Sequence, residues 1–258
     1  MVPWSRLIPL IAMAFELSRG RYGSPRLTTA LAASGFVVGR RRVIAAMQHL
    51  GLEARRGDKP PERSNRKSSR RTFASREVVR CCRPDLVRRA FDVVIPNTVW
   101  VADVTHLGGD ATQRYLCIII DLASRRVVAW RTGNSANSAL VASTLQSAFK
   151  HRRPGPGLIV HSDRGGEFAN RKIAALVRDF GATQSMSRRG NCWDNAVAES
   201  FFATLKRECL YLLESPKRWS PRKVIGEYIA WYNDVRLHST LGYRSPSEFE
   251  ASEFGIPR

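Results

Sequence analysis

Asp103, Asp163 and Glu199 are the residues whose type and setting most readily suggest chemistry. Asp103 interrupts the otherwise almost continuous apolar run VWVADVTHL, and a lone carboxylate in a covered strand is costly unless a cation or a hydrogen-bond donor accompanies it. Asp163 ends the run LIVHSD just before RGG, at the carboxyl end of a strand, where α/β sheets tend to place ligands. Glu199 lies among Ala196, Ala198, Phe201 and Phe202 in a helical stretch. Most acidic side chains are solvated surface charges, and composition alone does not lift these three out of that background. As a set without a Cys/His cluster, however, they are hard-oxygen ligands, suited to Mg²⁺ or Mn²⁺ and poorly suited to zinc. A pair of such ions about 3.5 to 4 Å apart can activate an attacking oxygen and stabilise a leaving one in phosphodiester chemistry.

The elements that must position these carboxylates are readable from periodicity. Residues 98–107, 114–123 and 125–133 are rich in Val, Ile, Tyr and Trp, separated by short polar breaks, and suggest three consecutive antiparallel strands. A helix follows over SALVASTLQSAFKHR, stopped by PGPG at 154–157. Residues 158–163 form a short buried strand, and Ile173, Leu176, Val177 and Phe180 mark an amphipathic helix closed by Gly181. Residues 182–187 supply a fifth strand. The basic stretch RRGNCWDN (188–195) then leads into the helix that carries Glu199. Three meander strands followed by alternating helix and strand make a mixed α/β sheet with helices on its faces. Beyond it, Val224, Ile225, Tyr228, Ile229 and Tyr232 form the packing face of another helix, and Ser245 with Glu248 has capping-box spacing.

The charge points to a polyanionic partner. The chain has 258 residues and a formal net charge of +20. Residues 1–95 hold 20 basic and 7 acidic side chains, so most of the excess sits in the first third. Within it, SPRLTTALAAS, GFVVG and RRRVIAAMQHLGL outline a helix-turn-helix, with Arg40, Arg41 and Arg42 at the second helix's start, where they would face phosphates or base edges. A small helical hairpin with a solvated charged end fits the same spacing. Residues 53–72 carry eight Arg or Lys, two adjacent prolines and no apolar face. Such a segment cannot build a core and reads as a phosphate-tracking tether or a solubilising spacer. The expected division is a helical segment over 1–54, a basic linker over 55–95, a core over 96–250 and a tail over 251–258.

No apolar run reaches the roughly 18 residues that span a bilayer. LIPLIAMAF at 7–15 imitates a signal-peptide core but contains a proline and runs straight into Arg19, Arg21 and Arg26. The five cysteines form no CxxC pair, which suits reduced thiols in a cytoplasmic protein without a membrane partner.

The ordered blocks VWVADVTHL, IIIDLASRRVVAW, IVHSDRGGEF, SMSRRGNCWDNAVAESFFATLKRE and WYNDVRLHSTLGYRSPSEF resemble the DDE transposases and retroviral integrases. Within that superfamily the match is to the catalytic OrfB-type protein of the insertion sequence 3 family. Thirty-five residues, 164–198, separate Asp163 from Glu199, the spacing of the family signature. The resemblance implies a ribonuclease-H-like fold whose mixed five-stranded sheet has flanking helices and is preceded by the helix-turn-helix. It implies that Asp103, Asp163 and Glu199 are catalytic and converge on two Mg²⁺ ions, with Mn²⁺ able to substitute. The implied reaction is cleavage at the ends of a DNA element, freeing a 3′-hydroxyl that attacks a second phosphodiester in target DNA. A homo-multimer on DNA is implied, since two ends must be held together, as is an upstream element-encoded helix-turn-helix protein or fusion. The alternative is a DNA-binding remnant that regulates or occupies element ends without chemistry.

Around the triad, Asn195 at i−4 and Lys206 at i+7 from Glu199 could share its helix face and reach DNA. Arg164, before Gly165 and Gly166, would let backbone approach a phosphate, and Arg188 and Arg189 are candidates for a loop closing on DNA. Asp121 matches a family position but fits a structural carboxylate paired with Arg125 or Arg126 equally well. His161 and Ser162 are expected to orient neighbouring groups. His106 replaces the family's more usual aromatic.

Overall fold

A computed structural model of the chain describes residues 2–54, 82–89, 92–108, 114–188, 195–213 and 220–257. The five strands are β1 (Val99–His106), β2 (Tyr115–Asp121), β3 (Val127–Gly133), β4 (Ile159–Ser162) and β5 (Thr183–Met186). They form one sheet in the order β3-β2-β1-β4-β5. β1, β2 and β3 pair antiparallel, whereas β1–β4 and β4–β5 pair parallel, so the meander and the alternating half meet at β1. Among the described residues eight α-helices accompany the sheet: α1 (Trp4–Leu17), α2 (Ser24–Ala33), α3 (Arg40–His49), α4 (Ser138–Arg152), α5 (Arg171–Asp179), α6 (Ala196–Glu208), α7 (Pro221–Asp234) and α8 (Pro246–Phe254).

Alternation along the strands sends side chains to opposite faces. Trp100 and Ala102 of β1, with Cys117 and Ile119 of β2, pack against Leu145, Ala148 and Phe149 of α4 and Ile173 and Val177 of α5. Val99 and Val101 of β1, with Ile118 and Ile120 of β2, point the other way, into a cluster with Phe201, Phe202 and Leu205 of α6 and Ile225 and Tyr228 of α7. Leu7, Ile11, Leu27 and Val43 of the N-terminal helices belong to that same cluster. Burying a side chain of this size is worth about 1.5 to 3 kcal/mol, so the helical segment is tied to the core by ordinary packing as well as by chain connectivity.

The helix ends follow local chemistry. Asn137 and Asn170 cap α4 and α5 by accepting from the backbone N–H groups of Leu140 and Ile173. Ser245 and Glu248 complete the expected capping box on α8. Gly39 at the head of α3 offers no side-chain cap. A helix over 4–17 was not expected from the sequence. There Leu7, Ile11 and Phe15 recur at a spacing of four and are buried on one stripe of α1, which accommodates Pro9 in its interior.

Two buried carboxylates hold the C-terminal helices in place. Glu250, with no exposed side-chain surface, accepts from Arg152 at 2.6 and 2.9 Å, from Arg126 at 2.7 Å and from the Ser124 hydroxyl at 2.7 Å. Glu208, at the end of α6, accepts from Arg236 Nε and Nη2 at 3.0 and 2.9 Å and from the Tyr228 hydroxyl at 3.0 Å. Asp121 is structural, but its partners are backbone N–H groups of Asn97, Ala123 and Ser124. Of the two arginines expected beside it, Arg126 is drawn away to Glu250, while Arg125 feels the Asp121 charge.

Candidate active site

The last pair in the parallel β1–β4 ladder is Ala102 with Ser162. One residue further on, Asp103, still within β1, lies beside Asp163, which follows the end of β4. Strands in a ladder lie about 4.8 Å apart. Asp103 follows the alternation of Val99 and Val101, so it projects to the face that α6 covers. Glu199 sits in the first turn of α6, exposed to solvent.

Each aspartate is anchored by the backbone. Asp103 Oδ1 accepts from its neighbour Val104 N–H at 2.7 Å, and Asp163 Oδ1 from Gly165 N–H at 2.9 Å. These bonds favour the ionised forms but are outweighed. Burial, the adjacent Asp163 and, more weakly, Glu199 and Glu167 push the Asp103 carboxyl up to about 8. Asp163 is also raised, chiefly by burial, against the bond from Gly165 and the influence of His161.

Glu167 is the residue that sequence reasoning missed. The turn after Asp163 closes through Phe168 and Ala169 N–H groups donating to Gly165 O, and it folds Glu167 back over Gly165. A Cβ on Gly165 would lie 2.7 Å from the Glu167 carboxyl carbon, so that glycine leaves the space this carboxylate fills. Burial and Asp163 raise the Glu167 carboxyl. Its sequence signal was weak: a glutamate four residues past Asp163, hidden by the turn-forming glycines.

This is a group of oxygen donors in which His161 eases Asp163, while among the described residues no positive side chain offsets the charges acting on Asp103. The donor set fits a hard divalent cation. Among the described residues, no three His, Cys, Asp or Glu side chains stand close enough to hold a metal ion as they are placed. The six residues before Asn195, which include Arg189, lie outside the described residues.

The neighbouring groups divide by burial. His161 is fully buried and shares a 2.9 Å hydrogen bond with Ser185, the orienting role expected of it. Arg164 is half-buried and donates to Ser187 O at 2.7 Å. Arg188 stays 55% exposed, 3.8 Å from Asp85. Asn195 is only 4% exposed, so its amide presents little surface to a ligand, and its Oδ1 has no partner among the described residues. Lys206 is half-buried, two turns along α6 from Glu199. In α3, Arg40 and Arg41 are exposed, whereas Arg42 donates to Val2 O at 2.7 Å and so helps to fix α1.

Comparison with known proteins agrees with this geometry. Two integrase core domain families match residues 94–192 and 180–246, and an HTH-like domain family matches residues 3–60. The transposase for insertion sequence element IS904 of Lactococcus lactis is 35% identical over 241 residues, covering 93% of this chain and 91% of that one. The chain belongs to the insertion sequence 3 family of transposases. Transposase InsF of insertion sequence IS3A from Escherichia coli K12 is 34% identical, over 93% of this transposase and 81% of its own length. Among solved structures, a chain of the simian T-cell lymphotropic virus intasome superposes with a TM-score of 0.56 at 15% identity, covering 96% of the transposase and 76% of that chain. The fold is therefore the ribonuclease-H-like fold of integrase cores, preceded by a helix-turn-helix-like segment.

Proposed function

We propose that this transposase is a DDE-type polynucleotidyl transferase that cuts phosphodiesters at the ends of its insertion element and joins them to target DNA, with Asp103, Asp163 and Glu199 as the metal ligands. The observation that carries the reading is the register of β1 against β4. It sets Asp103 of β1 beside Asp163, just past the end of β4, with Glu199 of α6 near enough to act on the Asp103 carboxyl, which is pushed up to about 8. Two Mg²⁺ ions, or Mn²⁺ in their place, would supply activation of the attacking oxygen and stabilisation of the leaving oxygen. Asp103 would offer its carboxylate from within β1, Asp163 from just past the end of β4 and Glu199 from the first turn of α6. In the first step water attacks the phosphorus and a 3′-hydroxyl leaves. In the second, that hydroxyl attacks a target phosphodiester in line and another 3′-hydroxyl leaves. One phosphodiester is exchanged for another in the joining step, so no nucleotide triphosphate is needed.

The remaining assignments follow from this reading. Residues 1–54 grip DNA through Arg40 and Arg41 of α3, residues 55–95 tether them to the core, and Arg164, Arg188, Arg189 and Lys206 contact backbone phosphates near the triad. Asn195 reaches DNA only if α6 is re-seated. Two element ends are held by a multimer in the bacterial cytoplasm, with an upstream element-encoded helix-turn-helix protein as the further partner. No helix among the described residues is long and apolar enough to cross a membrane. The test is a cleavage and joining assay on labelled element-end DNA with Mg²⁺, comparing the chain with Glu199→Gln. Cutting by the wild type alone is expected. Equal DNA binding with no cutting by either protein would instead favour the remnant that occupies ends without chemistry.

A further inference from the structure

On the other side of α6 from the sheet end, the N-terminal helices and the C-terminal segment enclose a cavity of about 490 Å³. That volume falls in the range of roughly 300 to 1,000 Å³ that holds a small ligand or part of a larger one. Its walls are strongly cationic. Arg21 and Arg26 come from the helix-turn-helix-like segment, Arg125 from the β2–β3 turn, Arg207 from α6 and Arg236 from the chain after α7, and among the described residues Glu208 is the one acidic residue lining it.

Glu208 does not neutralise this set. Both its oxygens are engaged by Arg236, and Arg26 stands 3.8 Å away. Arg21 uses Nε on the Glu208 carbonyl at 3.0 Å and stacks its guanidinium 4.4 Å from the Trp231 ring centroid, leaving Nη1 buried with no acceptor among the described residues. His238 adds no charge of its own, because burial and the neighbouring arginines hold its imidazole neutral, down to about 2. Burial lowers Arg21, Arg26 and Arg125 as well; Arg236 adds to the lowering of Arg26, and Asp92 and Asp121 oppose that of Arg125. The hydroxyls of Ser200 and Thr204 line the α6 wall, one and five residues past Glu199. A ligand in the cavity therefore lies one helix row from the proposed metal ligands.

We infer that this cavity is a binding site for a backbone phosphate of the transposon DNA, gripped by Arg21, Arg26, Arg125 and Arg207 and thereby locking the helix-turn-helix-like segment onto α6. The inference rests on the reading of the chain as a DNA transposase. It goes beyond that reading in placing a phosphate between the helix-turn-helix-like segment and α6, at residues that belong neither to α3 nor to the acidic site. Arginine is the fitting residue because its planar fork matches phosphate oxygens and carries its charge through partial burial.

The test measures binding to a random-sequence duplex as a function of salt, since a grip on phosphates is independent of sequence. The wild type is compared with the pair Arg125→Gln/Arg207→Gln and, separately, with Thr204→Glu, which places a carboxylate in the cavity from a helix surface and leaves the arginine network intact. For every phosphate that the protein no longer neutralises, the slope of log K against log salt should fall by about 0.9. The paired variant is expected to release between one and two phosphates, and Thr204→Glu about one, with melting temperatures unchanged. A slope and affinity equal to the wild type in both variants would overturn the inference while leaving DNA cutting, and hence the transposase reading, standing. Failure of the wild type to bind duplex would overturn both. A third arm melts the protein with millimolar inorganic phosphate and no DNA. Stabilisation of the wild type but not of Thr204→Glu, with duplex binding unchanged, would reassign the cavity to a free anion and so refute its role in holding DNA.

Discussion

Two groups of carboxylates, one buried and one partly exposed, have opposite surroundings. Glu250 is met by two arginines and a hydroxyl, and Glu208 by a bidentate arginine and a tyrosine. Asp103, by contrast, has Asp163, Glu199 and Glu167 for company, and among the described residues no positive side chain offsets them at Asp103. The Glu250 carboxyl, which burial alone would raise, is held below its ordinary range by Arg152, Arg126 and Ser124; the Asp103 carboxyl is pushed up to about 8. A buried acid whose counter-charge is built into the fold serves structure. One without such a partner is a candidate for function.

Four measurements put this contrast at risk. The largest effect is expected at the acidic site: Glu199→Gln or Asp103→Asn should reduce strand cleavage to background in a gel assay while duplex binding persists. Retained cleavage in Glu199→Gln would remove it from the ligand set. Next, Glu250→Gln should destabilise the protein by about 3 to 5 kcal/mol in denaturant melts, because it leaves Arg126 and Arg152 buried without their counter-charge. Its pH dependence has a definite sign. A carboxyl held low in the folded state contributes stability above its unfolded value and loses it as pH falls through the folded one, so the wild type should weaken from about pH 5 downward and the variant should lack that component.

A smaller and opposite effect is expected for Asp103→Asn without metal, a gain of about 1 to 2 kcal/mol from relieved repulsion. Mg²⁺ at about a hundred times its dissociation constant should stabilise the wild type by about 2.7 kcal/mol and the variant hardly at all. A destabilised variant would mean that Asp103 is structural, like Glu250. The smallest effect is Lys206→Gln, which should lower the salt slope of duplex binding by about 0.9 with no change in melting. An unchanged slope would take Lys206 off the DNA path.

The strands were legible because their signal is local. The expected runs 158–163 and 182–187 enclose β4 and β5, and the break before Arg114 sets the start of β2. Asp103, Asp163 and Glu199 were singled out by type, by setting and by resemblance, and the structure sets Asp103 of β1 beside Asp163, just past the end of β4. Glu167 was hidden because a turn, and no periodic element, carries it back to Asp163. The pairing of Glu250 with Arg126, or of Glu208 with Arg236, joins elements distant in sequence and leaves no spacing to read. Asp121 shows the limit from the other side: proximity in sequence suggested an arginine partner, and backbone amides took the place. The helix over Trp4–Leu17 carried its stripe in plain view, but Pro9 and the lack of a side-chain cap made the run look like something else.

The parallel pairing of β1 with β4 has a consequence for the order in which the protein acquires its abilities. β1 finds β2 within a few residues, but the pairing of Ala102 with Ser162 must wait for a helix and a long crossover to form, and Glu199 comes later still. Pairings between distant residues close slowly, and domains take shape as the chain leaves the ribosome. A chain extended only as far as β3 can thus close the β1–β2–β3 meander, while the two aspartates come together only once β4 has joined the sheet.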